Sequence, residues 1–136
     1  MNVTDFKILK EILPDNQFYD IEFTINNLHK FGSTLPVEFF QDYFLPKLYE
    51  MINFQNQKEI QIDFDESIGM VYLKKYENNL IFYLRSYRMY GGYQINEVSD
   101  MTIFFSFNEN VRIGIENFLI ENNYISFTQN KRRRID

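Results

Sequence analysis

The chain has no cysteine and no tryptophan, and His29 is its only histidine. Without cysteine there is no disulfide framework and no thiolate metal site. With one histidine, any Ser–His–Asp triad or imidazole acid–base pair would have to use His29. That residue lies in "NNLHKFGST", with no catalytic pattern around it, and is read as structural. No apolar run approaches the ~20 residues that span a bilayer. Charges interrupt every apolar run of the N-terminal "MNVTDFKILKEILPD", so no signal-peptide pattern is present. The expected location is cytoplasmic, with no membrane partner.

What the chain does have is aromatic bulk and acidity. Its 136 residues include 15 Phe and 10 Tyr, and 45% are apolar, enough for a core. The formal charge is −5 and unevenly placed. Residues 1–130 hold ten basic and 18 acidic side chains, a net of −8, while Lys131, Arg132, Arg133 and Arg134 form the only basic cluster. The expected organisation is a single α+β domain over 1–130, followed by a basic, solvated tail over 131–136. An acidic body disfavours nucleic acid as the main partner and suits a cationic protein.

Residues 5–13, "DFKILKEIL", predict a short helix with Phe6, Leu9 and Leu13 on one face, Thr4 as N-cap and Pro14 past its end. Residues 18–26 alternate, placing Tyr19, Ile21, Phe23 and Ile25 on one side of a strand. "GSTLP" then predicts a break, with Pro36 as the first helical residue. Phe40, Phe44, Leu48 and Met51 recur at helical spacing, and Pro46 predicts a kink or break near Leu45. Residues 58–107 predict an antiparallel meander, and "NENVRIGIENFLIENN" a closing helix with Val111, Ile115, Phe118 and Leu119 as its apolar face and Arg112–Glu116 as an i,i+4 pair. The fold class is therefore α+β: a four- to five-stranded, mostly antiparallel sheet with helices packed on one face.

Asn78–Asn79 suits a two-residue hairpin loop. That loop sets Tyr76 opposite Ile81, Lys74 opposite Tyr83, Tyr72 opposite Arg85 and Met70 opposite Tyr87, all on one face. Val71, Leu73, Phe82 and Leu84 make the other face, which is core. The polar face continues into "RSYRMYGGYQ", where Gly91–Gly92 supplies a turn. Tyr and Arg are the side chains of interface hot spots, because they bury much area with few rotors and keep a polar end. The candidate partner-binding residues are Tyr72, Tyr83, Arg85, Tyr87, Arg88, Tyr90 and Tyr93. Glu59, Asp63 and Asp65 form an acidic stripe that would steer a basic partner.

No catalytic, cofactor or metal site is assigned. Asp63, Asp65 and Glu66 in "IDFDES" lack the third ligand, the glycine and the distant Glu of a Ca²⁺ loop. The glycine pair lacks the spacing and the Lys-Ser/Thr of a phosphate loop.

In size, acidity, aromatic content and absence of cysteine, the chain resembles the small immunity proteins that neutralise bacterial toxins in the cytoplasm. That resemblance implies a non-enzymatic toxin inhibitor acting by protein–protein interaction, and it assigns no role to any single residue. The alternative is a small-ligand-binding or catalytic α+β domain, with a tyrosine-lined pocket between sheet and helices.

Overall fold

The computed structural model describes the backbone of residues 1–53, 59–66, 69–90 and 93–126, and their side chains except at 65–66, 69–71, 84–90 and 93–100. The fold is α+β, with two antiparallel sheets and helices packed against them. The first sheet holds β1 (Phe6–Ile12), β2 (Phe18–Ile25) and β3 (His29–Pro36), in the order β1-β2-β3. The helical rod that follows consists of α1 (Val37–Phe39), a π-helical segment (Phe40–Phe44) and α2 (Leu45–Asn53). The second sheet is the expected meander of β4 (Glu59–Glu66), β5 (Gly69–Tyr76), β6 (Asn79–Tyr90) and β7 (Tyr93–Ser106). The closing helix is α3 (Glu109–Glu121).

The predicted helix over 5–13 is instead strand β1. Period two fits it better than period 3.6: Phe6 and Ile8 are buried, while Leu9, assigned to the helix face, is 54% exposed. The strongly alternating β2 offers a pairing edge, and tertiary pairing overrides a weak local helix preference. Lys10 takes the next inward position and places its ammonium 4.7 Å from the Tyr19 ring centroid and 5.2 Å from that of Phe40.

Thr4 caps no helix. Its N–H and hydroxyl donate to Asn26 Oδ1 at 2.7 and 3.1 Å, and the Asp5 N–H donates to the same oxygen at 3.2 Å. Asn26 Nδ2 in turn donates to the Asn2 carbonyl at 2.9 Å. Asn26 itself has φ 56°, a left-handed conformation that asparagine tolerates and alanine does not. Asn26→Ala should therefore lower stability by roughly 2 kcal/mol in a urea melt, combining lost hydrogen bonds with backbone strain. An unchanged midpoint would show that this staple contributes nothing.

The predicted break at "GSTLP" is strand as well. Gly32 pairs with Glu22 inside β3, and Leu35 and Ser33 are buried on its inner face. Glycine and a terminal proline are tolerated there because β3 is an edge strand. His29 opens β3 opposite Ile25 and sets its ring 5.6 Å from Phe105.

Pro36 ends β3 with ψ 147°, so the helix starts one residue later than predicted. Pro46 neither breaks the rod nor sits quietly in it. It has no N–H for the carbonyl four residues back, and its ring would strike that carbonyl. The chain answers by widening to π geometry over Phe40–Phe44, where the Leu45 N–H reaches back to the Phe40 carbonyl. Phe40, Phe44, Leu48 and Met51 are all buried, as predicted.

One aromatic cluster joins sheets and helices. Phe23 packs 5.3 Å from Phe82, 6.1 Å from Phe44 and 6.2 Å from Phe6, and Phe31 stacks on Phe82 at 4.4 Å. Helix α3 begins at Asn108, whose side chain accepts from the N–H groups of Asn110 and Val111. The four predicted inward residues of α3 are buried, and Asn123 ends the helix with φ 59°. Among the described residues, no helix is long and apolar enough to cross a membrane.

Candidate functional site

The candidate site is built by alternation along the meander. Ile60, Ile62 and Phe64 of β4, Leu73 of β5, Leu80 and Phe82 of β6, and Phe105 of β7 are buried. The residues between them form the outer face. The β5–β6 loop falls at Glu77–Asn78 instead of Asn78–Asn79, with the positive φ of 53° at Glu77. Tyr72 therefore pairs with Tyr83 and Arg85 with Met70, a shift of two residues from the predicted register. A shift of two leaves every side chain on its predicted face, where a shift of one would have exchanged the faces.

Cross-strand rows give the face its chemistry. One row runs Asp63, Tyr72, Tyr83, Thr102, and its two tyrosine rings stack with centroids 4.7 Å apart and planes at 15°. The next row runs Gln61, Lys74, Ile81, Phe104, with Phe104 57% exposed. Lys74 Nζ lies 2.8 Å from Glu59 Oε1. The hydrogen bond that the Lys74 ammonium donates to Glu59 holds it above its ordinary value, against the opposing effect of burial, and the charge of Glu59 adds to it. Glu59 thus has its own cation. Asp63 has none among the described residues; it accepts from Gln61 Nε2 at 2.6 Å.

On the other side of the tyrosine row, the register sets Asp65, Met70, Arg85 and Asp100 in line. Strand β5 ends its pairing at Gly69–Ser86, while β6 and β7 run on as a two-stranded ribbon to the pair Tyr90–Tyr93. At ~3.3 Å per residue, the ribbon extends about 13 Å past the four-stranded part. Tyr87, Arg88, Tyr90 and Tyr93 all lie on it, and the pairing is irregular between Tyr87 and Met89. A bulge there increases local twist. The side chains of Asp65, Arg85, Tyr87, Arg88, Tyr90 and Tyr93 lie outside the described residues, as do those of Glu66 and Leu84, the glycine pair 91–92 and the tail 131–136.

The structure thus unites Asp63, Tyr72 and Tyr83 in one row and puts Glu59 two rows away. Exposed Phe104 and Tyr76 complete the face, although neither is among the candidate partner-binding residues. The signal was present for Phe104, since a strand with Ile103 and Phe105 inward must turn Phe104 out.

Among the described residues, one concavity lies away from this face and another adjoins it at Asp63. One, of about 420 Å³, opens over Gly32 on the outer side of the first sheet, between Leu9, Glu11, Asp20, Glu22 and Thr34. The other, of about 330 Å³, lies between Leu35, Phe39, Tyr43 and Asp63. There the Tyr43 hydroxyl donates to the Gln61 carbonyl at 3.4 Å and accepts from the Asp63 N–H at 3.3 Å. These are two backbone groups of edge strand β4, so Tyr43 covers part of an edge that would otherwise be open to pairing. Among the described residues, no three side chains of metal-ligating type converge. No family model, curated protein or solved structure matches the chain.

Proposed function

We propose that this chain is a non-enzymatic protein-binding module of the immunity or inhibitor type. It covers a cationic partner, such as a bacterial toxin domain in the cytoplasm, with the outer face of its second sheet and the ribbon beyond it. The observation that carries the reading is the Tyr72–Tyr83 stack, flanked by exposed Phe104 and Tyr76. Stacked tyrosines beside exposed apolar area suit a hot spot, because little rotamer entropy remains to be lost on binding. The net charge of −8 over residues 1–130 favours a basic partner. Since Glu59 is already paired with Lys74, Asp63 is the better placed of these two carboxylates to steer a partner.

Kinetics against a captured partner test this. Tyr83→Ala and Tyr87→Ala should speed dissociation, each by about 30-fold, the size of a ~2 kcal/mol hot spot. Asp63→Asn should slow association, and less so at high salt. Hydrogen exchange of the complex should protect β5 and β6. Protection of some other face, with β6 unchanged, would overturn the proposal.

A further inference from the structure

The cleft beside Tyr43 has the chemistry of a receptor for one planar cation. Phe39 and Tyr43 form a tilted ring pair, with centroids 4.6 Å apart and planes at 40°. Buried Leu35 and neighbouring Pro36 supply further apolar wall, and Thr34 and Asp63 are exposed at the margin. The Thr34 hydroxyl is committed to Asp20 Oδ1 at 2.6 Å, and Asp63 Oδ1 accepts from Gln61. Asp63 Oδ2 has no partner among the described residues, and a carboxylate accepts at both oxygens. The two backbone bonds of the Tyr43 hydroxyl hold the ring in a fixed relation to the strand that carries Asp63.

Aromatic faces beside a carboxylate favour a cation, and a guanidinium more than an ammonium. A guanidinium stacks flat on a ring and presents a fork of donors to a carboxylate. The Tyr43 ring already has Lys47 Nζ at 5.8 Å, but that ammonium is engaged by Glu50 at 3.6 Å. A volume near 330 Å³ is at the low end for a ligand site and fits one side chain better than a cofactor. Asp63 also belongs to the row of Tyr72 and Tyr83, so the cleft is continuous with the tyrosine face.

We infer that this cleft receives an arginine side chain of the protein partner, stacked against Phe39 or Tyr43 and paired with Asp63. The inference rests on the proposed binding function and names the chemistry of the partner.

The test needs no partner. The intact chain is titrated with the capped peptide acetyl-Gly-Arg-Gly-amide and with its neutral citrulline isostere, followed by two-dimensional NMR. The arginine peptide should give saturable shifts at Leu35, Phe39, Tyr43 and Asp63, with a dissociation constant on the order of millimolar. The citrulline peptide should give none. Asp63→Asn, a change at an exposed position, should weaken binding about tenfold, the scale of one charge-assisted hydrogen bond. Phe39→Leu should weaken it while leaving the fold's spectrum intact. Equal binding of both peptides, no saturation, or indifference to Asp63→Asn would overturn the inference. So would tighter binding of free arginine or of a lysine peptide. Shifts confined to Tyr72 and Tyr83 would sink the cleft and leave the binding face standing. A saturable cleft alongside a partner that protects some other face would sink the face alone.

Discussion

Replacing Gly114 with alanine should destabilise the protein by about 3 kcal/mol, although alanine is the better helix former by ~1 kcal/mol. Gly114 is buried at the point where α3 crosses β1. A Cβ there would lie 2.2 Å from the Phe6 carbonyl oxygen and 2.7 Å from Phe6 Cδ1. The first of these is backbone, held in place by the pairing of Phe6 with Ile25, so no rotamer change relieves it. The helix must move off the strand, and Val111, Ile115 and Phe118 must repack with it. The cost therefore belongs at the upper end of overpacking penalties. A urea unfolding curve gives the loss directly, and the melting temperature should fall by roughly 10 °C. A gain in stability would mean that α3 rides further from β1 than the structure places it.

Where apolar residues recur with one clean period, the sequence showed the fold. Strand β2, the four-stranded meander and the inward residues of α3 were all legible for that reason. In the β5–β6 hairpin the loop lies one residue from the Asn78–Asn79 position and the pairing shifts by two, which leaves the faces unchanged. The first sheet was hidden by different means. In β1 the inward series Phe6, Ile8 is interrupted by Lys10, whose ammonium is accommodated over two rings that come from β2 and the helical rod. In β3 the glycine and proline that normally punctuate a chain sit in an edge strand that tolerates them. Pro46 is visibly an obstacle in the sequence, but the remedy, a π-helical widening upstream, depends on tertiary packing of Phe40 and Phe44.

The candidate site divides in the same way. Asp63, Tyr72 and Tyr83 lie on one face because each alternates with buried neighbours, which local spacing reveals. The cleft does not arise from spacing. Its walls come from residues 34–43 and its carboxylate from residue 63, joined through the Tyr43 hydroxyl. No periodicity connects those segments, so only the packed chain shows them.

Arg112→Met should cost about 3–5 kcal/mol, far more than the ~0.2–0.5 kcal/mol of an i,i+4 pair on a solvated helix. The difference lies in Glu116. The spacing predicts an i,i+4 pair and the pair is present, but Glu116 is only 1% exposed, and Arg112 holds it from the margin of the core. Arg112 also donates from Nε to exposed Glu109 at 2.8 Å. That hydrogen bond, followed by the charge of Glu109, raises the guanidinium above its ordinary value against the effect of burial, so it stays charged throughout the range in which the fold exists. Removing Arg112 takes this cation away from a carboxylate in the interior, and losing one partner of a buried pair is far more expensive than losing one on a solvated face. A double-mutant cycle isolates this. Glu109→Gln should cost under about 1 kcal/mol, as expected for an exposed partner. Arg112→Met with Glu116→Gln should recover at least ~1.5 kcal/mol relative to Arg112→Met alone, because the charge has gone. If the two losses simply add, the buried carboxylate is compensated elsewhere and Arg112 is only a surface charge.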